Sequence, residues 1–317
     1  MEKKPLIVIV GPTAVGKTHA GIEVAKTFAG EIINGDAFQV YRGLDIGTAK
    51  ASTEEQDGVP HHLIDILAPT DTYSAAQFRR DAIQKIDEID GRGHVPVIVG
   101  GTGMYIKGIT SDWSFNDVAG DEQFRKRLEA RGEEEVGAQK LHEELALHDP
   151  DAAKRIHPRN VRKIIRALEL IYAGKPAPAP VTRDDGQPGS HQVLMIGLTM
   201  ERATLYERIE ARVEHMLAEG LLSEVSALYE AGIRHTQAMK GIGYKELVAY
   251  LDGDCSFEEA VTQLKRNSRR FAKRQLTWFR NKENVTWFEV REGEEKKLID
   301  KICTHLAGKW ANTSKDY

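Results

Sequence analysis

The octet Gly11, Pro12, Thr13, Ala14, Val15, Gly16, Lys17 and Thr18 satisfies the spacing G-x-x-x-x-G-K-[ST] in full. The residue types fit one task. Glycine lets the backbone turn so that successive N–H groups point inward as an anion nest. Lys17 supplies a point charge, and the Thr18 hydroxyl can ligate Mg2+. This chemistry is capture of a pyrophosphate-like group. The loop type is shared with ATP-binding and other nucleotide-binding proteins, and does not say what the phosphates carry. A nucleoside triphosphatase usually adds an acid after a later apolar strand, to organise metal and water. Here Val95–Val99 ends in Gly100, Gly101 and Thr102, Leu63–Asp65 is a weak substitute, and there is no N-K-x-D guanine-reading motif. That leans against an ATPase or GTPase and leaves a small-molecule kinase open.

Asp36 follows the strand-like stretch Glu31–Asn34. In a doubly wound sheet the carboxyl ends of the strands line the ligand crevice, so Asp36 is expected near Lys17. It reads either as a general base or as a turn or cap residue. Thr102 is similar, an exposed hydroxyl at a strand end or a plain loop residue. Arg208 and Arg212 lie one turn apart on a helix. Either could enter the crevice, or pair on the surface with Glu201, Glu207 or Glu214. His61 and His62 invite a metal reading, but neighbours on an extended segment point opposite ways, which favours ordinary structural histidines. Gly101-x-Gly103 lacks the third glycine of a dinucleotide fingerprint.

Two stretches are strongly basic. In 157–172, Arg159, Arg162, Lys163 and Arg166 recur at i, i+3, i+4, i+7. Val161, Ile164, Ile165 and Leu168 do the same about 200° around the helix. The stretch 265–282 has eight basic residues and no acidic one, with Lys273 and Arg274 among them. Most helix surfaces mix both signs. An acid-free run in a chain of net charge −4 suggests contact with a polyanion through its phosphates. The interleaved Phe271, Trp278 and Phe279 read as core.

These residues need a frame. The apolar runs Leu6–Val10 and Val95–Val99 read as buried strands, with Glu31–Asn34 as a further strand, alternating with helices at 18–29 and after Ser74. Ser74 with Gln77 forms a capping box, and Phe78, Ala82, Ile86 and Ile89 keep helical period. This order predicts an α/β fold: a P-loop-type parallel sheet flanked by helices. From about 117 the pattern is all helical, and 174–190 reads as a long Pro/Gly loop before strand Val193–Thr199. The division expected is therefore a core domain over 1–116, an inserted all-helical domain over 117–190, and the returning core over 191–317, helical over 201–280 with a frayed end from Asn312. The chain has 317 residues, 41% hydrophobic and 29% charged, enough for a real core. Cys255 and Cys303 have no paired spacing, which suits a reducing, cytoplasmic setting. Leu6–Val10 is too short for a signal or membrane segment.

Taken together, the stretches GPTAVGKT (11–18), DAFQVYRGLDIGTAK (36–50), HHLIDI (61–66), YSAAQFRRDA (73–82), PVIVGGTGMY (96–105), RALE (166–169), LYERIEARVEHML (205–217), GIGYKEL (241–247) and AKRQLTWFR (272–280) resemble the tRNA dimethylallyltransferases, or tRNA isopentenyltransferases. The resemblance implies transfer of a dimethylallyl group from dimethylallyl diphosphate to N6 of the adenine at tRNA position 37. That adenine lies next to the anticodon in tRNAs reading codons that begin with U, and Mg2+ is the cofactor. It implies that residues 11–18 hold the donor's diphosphate, with Thr18 on Mg2+. Arg212 would neutralise diphosphate charge, Asp36 would take the amine proton, and Thr102 would sit beside it. The tRNA contacts implied are Asp36, Ala37, Phe38, Gln39, Thr102, Arg125, Arg162, Lys163, Ile164, Ile165, Arg166, Lys273 and Arg274. The partner implied is the anticodon stem-loop, bound by a monomer away from any membrane. The chain departs from the family pattern at Ala37, where serine is usual, at Val15, where serine is frequent, and at Arg159–Asn160, where Asn-Asp is usual.

Overall fold

A computed structural model of the chain describes residues 4–111, 122–134, 136–175, 177 and 191–313. It divides into two compact units, Met1–Trp113 with Gly186–Tyr317, and Ser114–Asp185.

The larger unit opens with β1 (Lys4–Val10), α1 (Lys17–Thr27), β2 (Gly30–Asn34), the single turn α2 (Thr53–Gln56), β3 (His61–His62), α3 (Ala75–Gly91), β4 (Val95–Gly100) and α4 (Gly103–Thr110). Leu6, Val8 and Val10 join the core on one face of β1, and Ile7 and Ile9 join the core on the other. A strand covered on both faces needs no polar alternation, which is why its sequence is one apolar run. α3 starts at the capping box: Ser74 Oγ accepts from Gln77 N–H, and Gln77 Oε1 accepts from Ser74 N–H at 2.8 Å. Its Phe78, Ala82, Ile86 and Ile89 are all buried, as their period requires.

The smaller unit is helical: α5 (Glu122–Glu133), α6 (Gly137–His148), α7 (Pro150–Arg155) and α8 (Val161–Tyr172) around their own core. α8 begins after Asn160, so Arg159 lies in the preceding turn and not on the helix face. Most of the loop read over 174–190 lies outside the described residues.

The larger unit resumes with β5 (His191–Thr199), α9 (Arg202–Ala218), α10 (Leu221–Glu230), a 3-10 turn (Ala238–Lys240), α11 (Tyr244–Leu251), α12 (Phe257–Lys282), β6 (Thr286–Glu289) and α13 (Glu295–Thr313). The last two elements are absent from the sequence reading. The six strands form one sheet in the order β3-β2-β4-β1-β5-β6, and every pair is parallel. β1 is flanked by β4 on one side and β5 on the other, so the chain's order reverses at β1. That switch point leaves a crevice at the carboxyl ends of the strands. Residues 11–18, Asp36 and Thr102 all follow those ends.

Candidate active site

Residues 11–18 turn tightly between β1 and α1. A Cβ on Gly11 would lie 2.7 Å from the Leu198 carbonyl oxygen at the end of β5, so only glycine fits. Ala14 and Gly16 take left-handed conformations, φ 64° and 94°. Gly16 then stands at the N-cap of α1, which begins at Lys17. The Lys17 ammonium donates to the Pro12 carbonyl at 2.7 Å. Thr18 is exposed in the first turn of the helix.

Two further charges reach Lys17. Its pKa falls from 10.5 to about 7: burial is the main cause, the Arg212 charge works the same way, and Asp36 opposes both. Arg212 is itself desolvated, which works against its charged form, while Asp36 favours that form. Asp36, Arg212 and the Lys17 amine therefore share a low-dielectric crevice, where charges interact far more strongly than in water. Of the two arginines one turn apart, Arg212 is the one inside; Arg208 is exposed. Glu201 caps α9 by accepting from Thr204 N–H, and Glu214 pairs with Lys265. Neither acid takes Arg212.

Asp36 is fixed by its neighbours. Asn34 Oδ1 accepts from the Asp36 N–H at 3.0 Å, and Asn34 Nδ2 donates to the Leu63 carbonyl at 3.0 Å. Asp36 Oδ1 accepts from the Phe38 N–H at 2.8 Å. The turn reading of Asp36 is thus correct for one oxygen. Among the described residues, Oδ2 has no hydrogen-bond partner. Thr102 stands at the N-cap of α4 with no side-chain cap bond, and its N–H donates to the Gly35 carbonyl at 3.4 Å. Thr102 is thereby held beside the residue preceding Asp36.

The 36–50 segment is anchored from outside. Glu224 of α10 accepts from three successive N–H groups, of Asp45, Ile46 and Gly47, and from the Tyr244 hydroxyl at 2.6 Å. A Cβ on Gly47 would strike the Tyr244 ring at 2.5 Å. Gln39 donates its side-chain amide to the Thr48 and Ala49 carbonyls, and the Phe38 ring faces Gly241. The 241–247 motif therefore supports the segment that carries Asp36. Ala37, Phe38 and Gln39 are partly buried.

The smaller unit presents a different cluster. Glu169 is buried and accepts from Arg125 through two bonds, at 2.6 and 3.0 Å, and from Arg166 at 3.2 Å. Arg162 and Lys163 are exposed on α8. Ile164 and Ile165 are 0% and 4% exposed in the core of this unit, so the expectation that they touch RNA is corrected: they hold α8 in place. On α12, Lys265 and Arg269 pair with Glu214 and Glu210 of α9, while Arg266, Arg270, Lys273 and Arg274 are exposed. Phe279 is core, as expected.

The histidine pair is structural. His62 Nε2 and His94 Nδ1 bond the buried Glu31 carboxylate at 2.6 and 2.7 Å, and Arg92 bonds both of its oxygens. Those partners, Arg92 first, hold the Glu31 pKa at about 2. His61 bonds the Val59 carbonyl.

One site residue escapes the sequence reading. Gln275 of α12 is 5% exposed. Its Oε1 accepts from the Thr13 N–H at 2.9 Å, and its Nε2 donates to the Gly101 carbonyl at 3.0 Å. A signal for it existed. Ala272, Gln275, Leu276 and Phe279 fall at i, i+3, i+4, i+7, which puts an amide on an apolar stripe, and a buried amide must find partners.

The IPP transferase family model matches residues 39–282. The chain belongs to this family. Family relatives align over nearly all of it. The tRNA dimethylallyltransferase of Halalkalibacterium halodurans is 50% identical over 314 residues, covering 99% of this chain and 100% of that one. That of Bacillus subtilis is 49% identical over 308 residues, 97% and 98% of the two chains. Among solved structures, the full-length tRNA isopentenylpyrophosphate transferase from Bacillus halodurans superposes with a TM-score of 0.76 at 50% identity, covering 99% of both chains. A eukaryotic dimethylallyltransferase acting on tRNA gives 0.78 at 27% identity, over 96% of this chain and 77% of that one. The family assignment and the parallel six-stranded fold thus agree with what the motifs imply. No helix among the described residues is long and apolar enough to cross a membrane.

Proposed function

We infer that this chain transfers a dimethylallyl group from dimethylallyl diphosphate to N6 of a tRNA adenine. The adenine is position 37, beside the anticodon, in tRNAs reading codons that begin with U. The observation that carries the reading is the meeting of Asp36 with Lys17 and Arg212 at the switch point of the sheet.

The adenine amine attacks the allylic carbon, forming an N–C bond. The C–O bond to the diphosphate breaks, and its electron pair leaves on oxygen. Asp36 Oδ2 takes the proton that the amine sheds, which raises the nucleophilicity of a weak neutral amine. Lys17, Arg212 and the backbone N–H groups of residues 11–18 stabilise the charge that gathers on the leaving diphosphate. Thr102 holds the base side of the crevice. Position 37 is stacked in the anticodon loop, so the base flips out to reach Asp36.

The donor set suits Mg2+. The described residues contain no group of three or more His, Cys, Asp or Glu able to cage a metal, and Thr18 offers one hydroxyl. Mg2+ commonly takes one or two protein ligands and completes its shell with phosphate oxygens and water. Bound there, it adds charge stabilisation to the diphosphate.

A single copy of the chain grips the anticodon stem-loop. Arg162 and Lys163 with the Glu169-bound Arg125 and Arg166 serve the helical unit, and Lys273 and Arg274 serve α12. Such contacts read backbone and shape, not sequence. The test is incubation with Mg2+, labelled dimethylallyl diphosphate and unmodified tRNA whose anticodon ends in A. Label on the adenine 3′ of the anticodon supports the reading. Phosphate transfer from ATP to a small molecule, with no labelled tRNA, overturns it.

A further inference from the structure

A single side-chain amide joins two loops that the reaction uses from opposite sides. Gln275 accepts from Thr13 in the loop that receives the leaving group and donates to Gly101, the residue before Thr102. The two glycines around Thr102 have a matching reason to be glycines. A Cβ on Gly101 would overlap the Gln275 amide, and a Cβ on Gly103 would overlap the Trp278 indole. Gln275 and Trp278 are three residues apart, so both project from one face of α12. Thr102 is therefore seated between two side chains of the basic helix.

Among side chains of this length, glutamine both accepts and donates here whatever the pH. Leucine of similar size does neither. We propose that Gln275 is a positioning residue: it sets the phosphate loop and the Gly101–Gly103 loop in register, so that departing diphosphate and attacking amine are held in line. The proposal rests on the functional reading above for what the two loops hold. It adds that α12 is a rigid member of the active site as well as a basic surface. The exposed Lys273 and Arg274 stand two residues and one residue from the amide that aligns both loops.

The test uses Gln275→Leu and Gln275→Glu in the full chain. The readouts are the single-turnover transfer rate at saturating donor and tRNA, binding of inorganic diphosphate, and hydrogen exchange at the Thr13 amide. Misplacing reacting groups by about 1 Å costs on the order of 100-fold, and a loss of that size is the result expected for Gln275→Leu. Its Thr13 amide exchanges freely, and inorganic diphosphate still binds because Lys17 and Arg212 are untouched. Gln275→Glu keeps the acceptor for Thr13 but donates to Gly101 only when protonated. Its rate relative to wild type therefore rises as pH falls from about 8 to about 6. A Gln275→Leu rate near wild type, or losses in both variants that follow only their melting temperatures without pH dependence, overturns the proposal. A wild-type chain that modifies no tRNA overturns the functional reading instead, and is told apart by that control alone.

Discussion

Gly35 and Gly100 touch where β2 and β4 end. A Cβ on Gly100 would overlap the Gly35 carbonyl, and one on Gly35 would lie 3.2 Å from the Gly100 Cα. The Gly35 N–H donates to the Val99 carbonyl at 2.8 Å. This contact fixes the spacing between Asp36 and Thr102, the next residue and the next but one. Gly100→Ala forces backbone away from backbone, which no rotamer change relieves. The expected cost is about 1–3 kcal/mol by denaturant melting. The transfer rate should fall further than stability explains at a temperature where both proteins are folded. Normal turnover in this variant would show that Asp36 and Thr102 need no common frame.

Asp36→Asn is a cleaner probe than Asp36→Ala. Asparagine can still accept from the Phe38 N–H and keep the turn, so only the proton acceptor is lost. A general base contributes roughly 100- to 10,000-fold, and the single-turnover rate should drop within that range. tRNA affinity should stay near wild type. A variant that binds tRNA poorly but turns over normally once saturated would make Asp36 a binding residue and not the base.

Much of this was legible before the fold. β1 and β4 are continuous apolar runs, α3 carries its own cap, and the phosphate loop is a local motif. Arg212 was also within reach. At about 100° per residue, the buried stripe Leu205, Ile209, Val213 and Met216 passes about 20° from Arg212 and about 60° from Arg208. Helical period alone puts Ile164 and Ile165 on the apolar face of α8, where they are buried, whereas the family's motif span groups them with the tRNA contacts. β6 was missed because a four-residue, half-buried edge strand has no periodicity to detect. α13 is different: Leu298, Ile299, Ile302 and Leu306 are buried at helical spacing, and their pattern could have been read. What sequence does not carry is the joining of Thr13 to Gly101 through Gln275, which spans separations of 262 and 174 residues.

The Lys17 pKa makes a prediction with a definite sign. Its folded value, about 7, lies below its ordinary value of 10.5. Between those values the unfolded chain binds more protons, so this group makes the fold gain stability as pH rises from about 7 to about 10.5. Diphosphate oxygens favour the charged lysine and reverse the shift. Binding inorganic diphosphate at about pH 8.5 should then draw in close to one extra proton. Calorimetric titration in two buffers of different ionisation enthalpy measures this. Lys17→Arg keeps a cation that does not titrate, so its uptake should be smaller by that proton. Equal uptake in the two proteins would mean that Lys17 is already charged before diphosphate arrives.

The basic residues of α12 fall into two classes with different consequences for RNA. Lys265 and Arg269 are engaged by Glu214 and Glu210, so much of their charge is already balanced. Lys273 and Arg274 are exposed, with no ion pair among the described residues; Arg274 lies over the Phe271 ring. A cation that neutralises a phosphate releases a counterion, which steepens the dependence of affinity on salt. Lys273→Ala and Arg274→Ala should each weaken tRNA binding and lower the log–log salt slope by about 0.7–0.9. Lys265→Ala and Arg269→Ala should move the slope much less. Binding titrations over a range of salt concentrations separate the two classes. The same slope for all four variants would place the RNA on another surface and leave α12 with only its inward-facing work on Thr13 and Gly101.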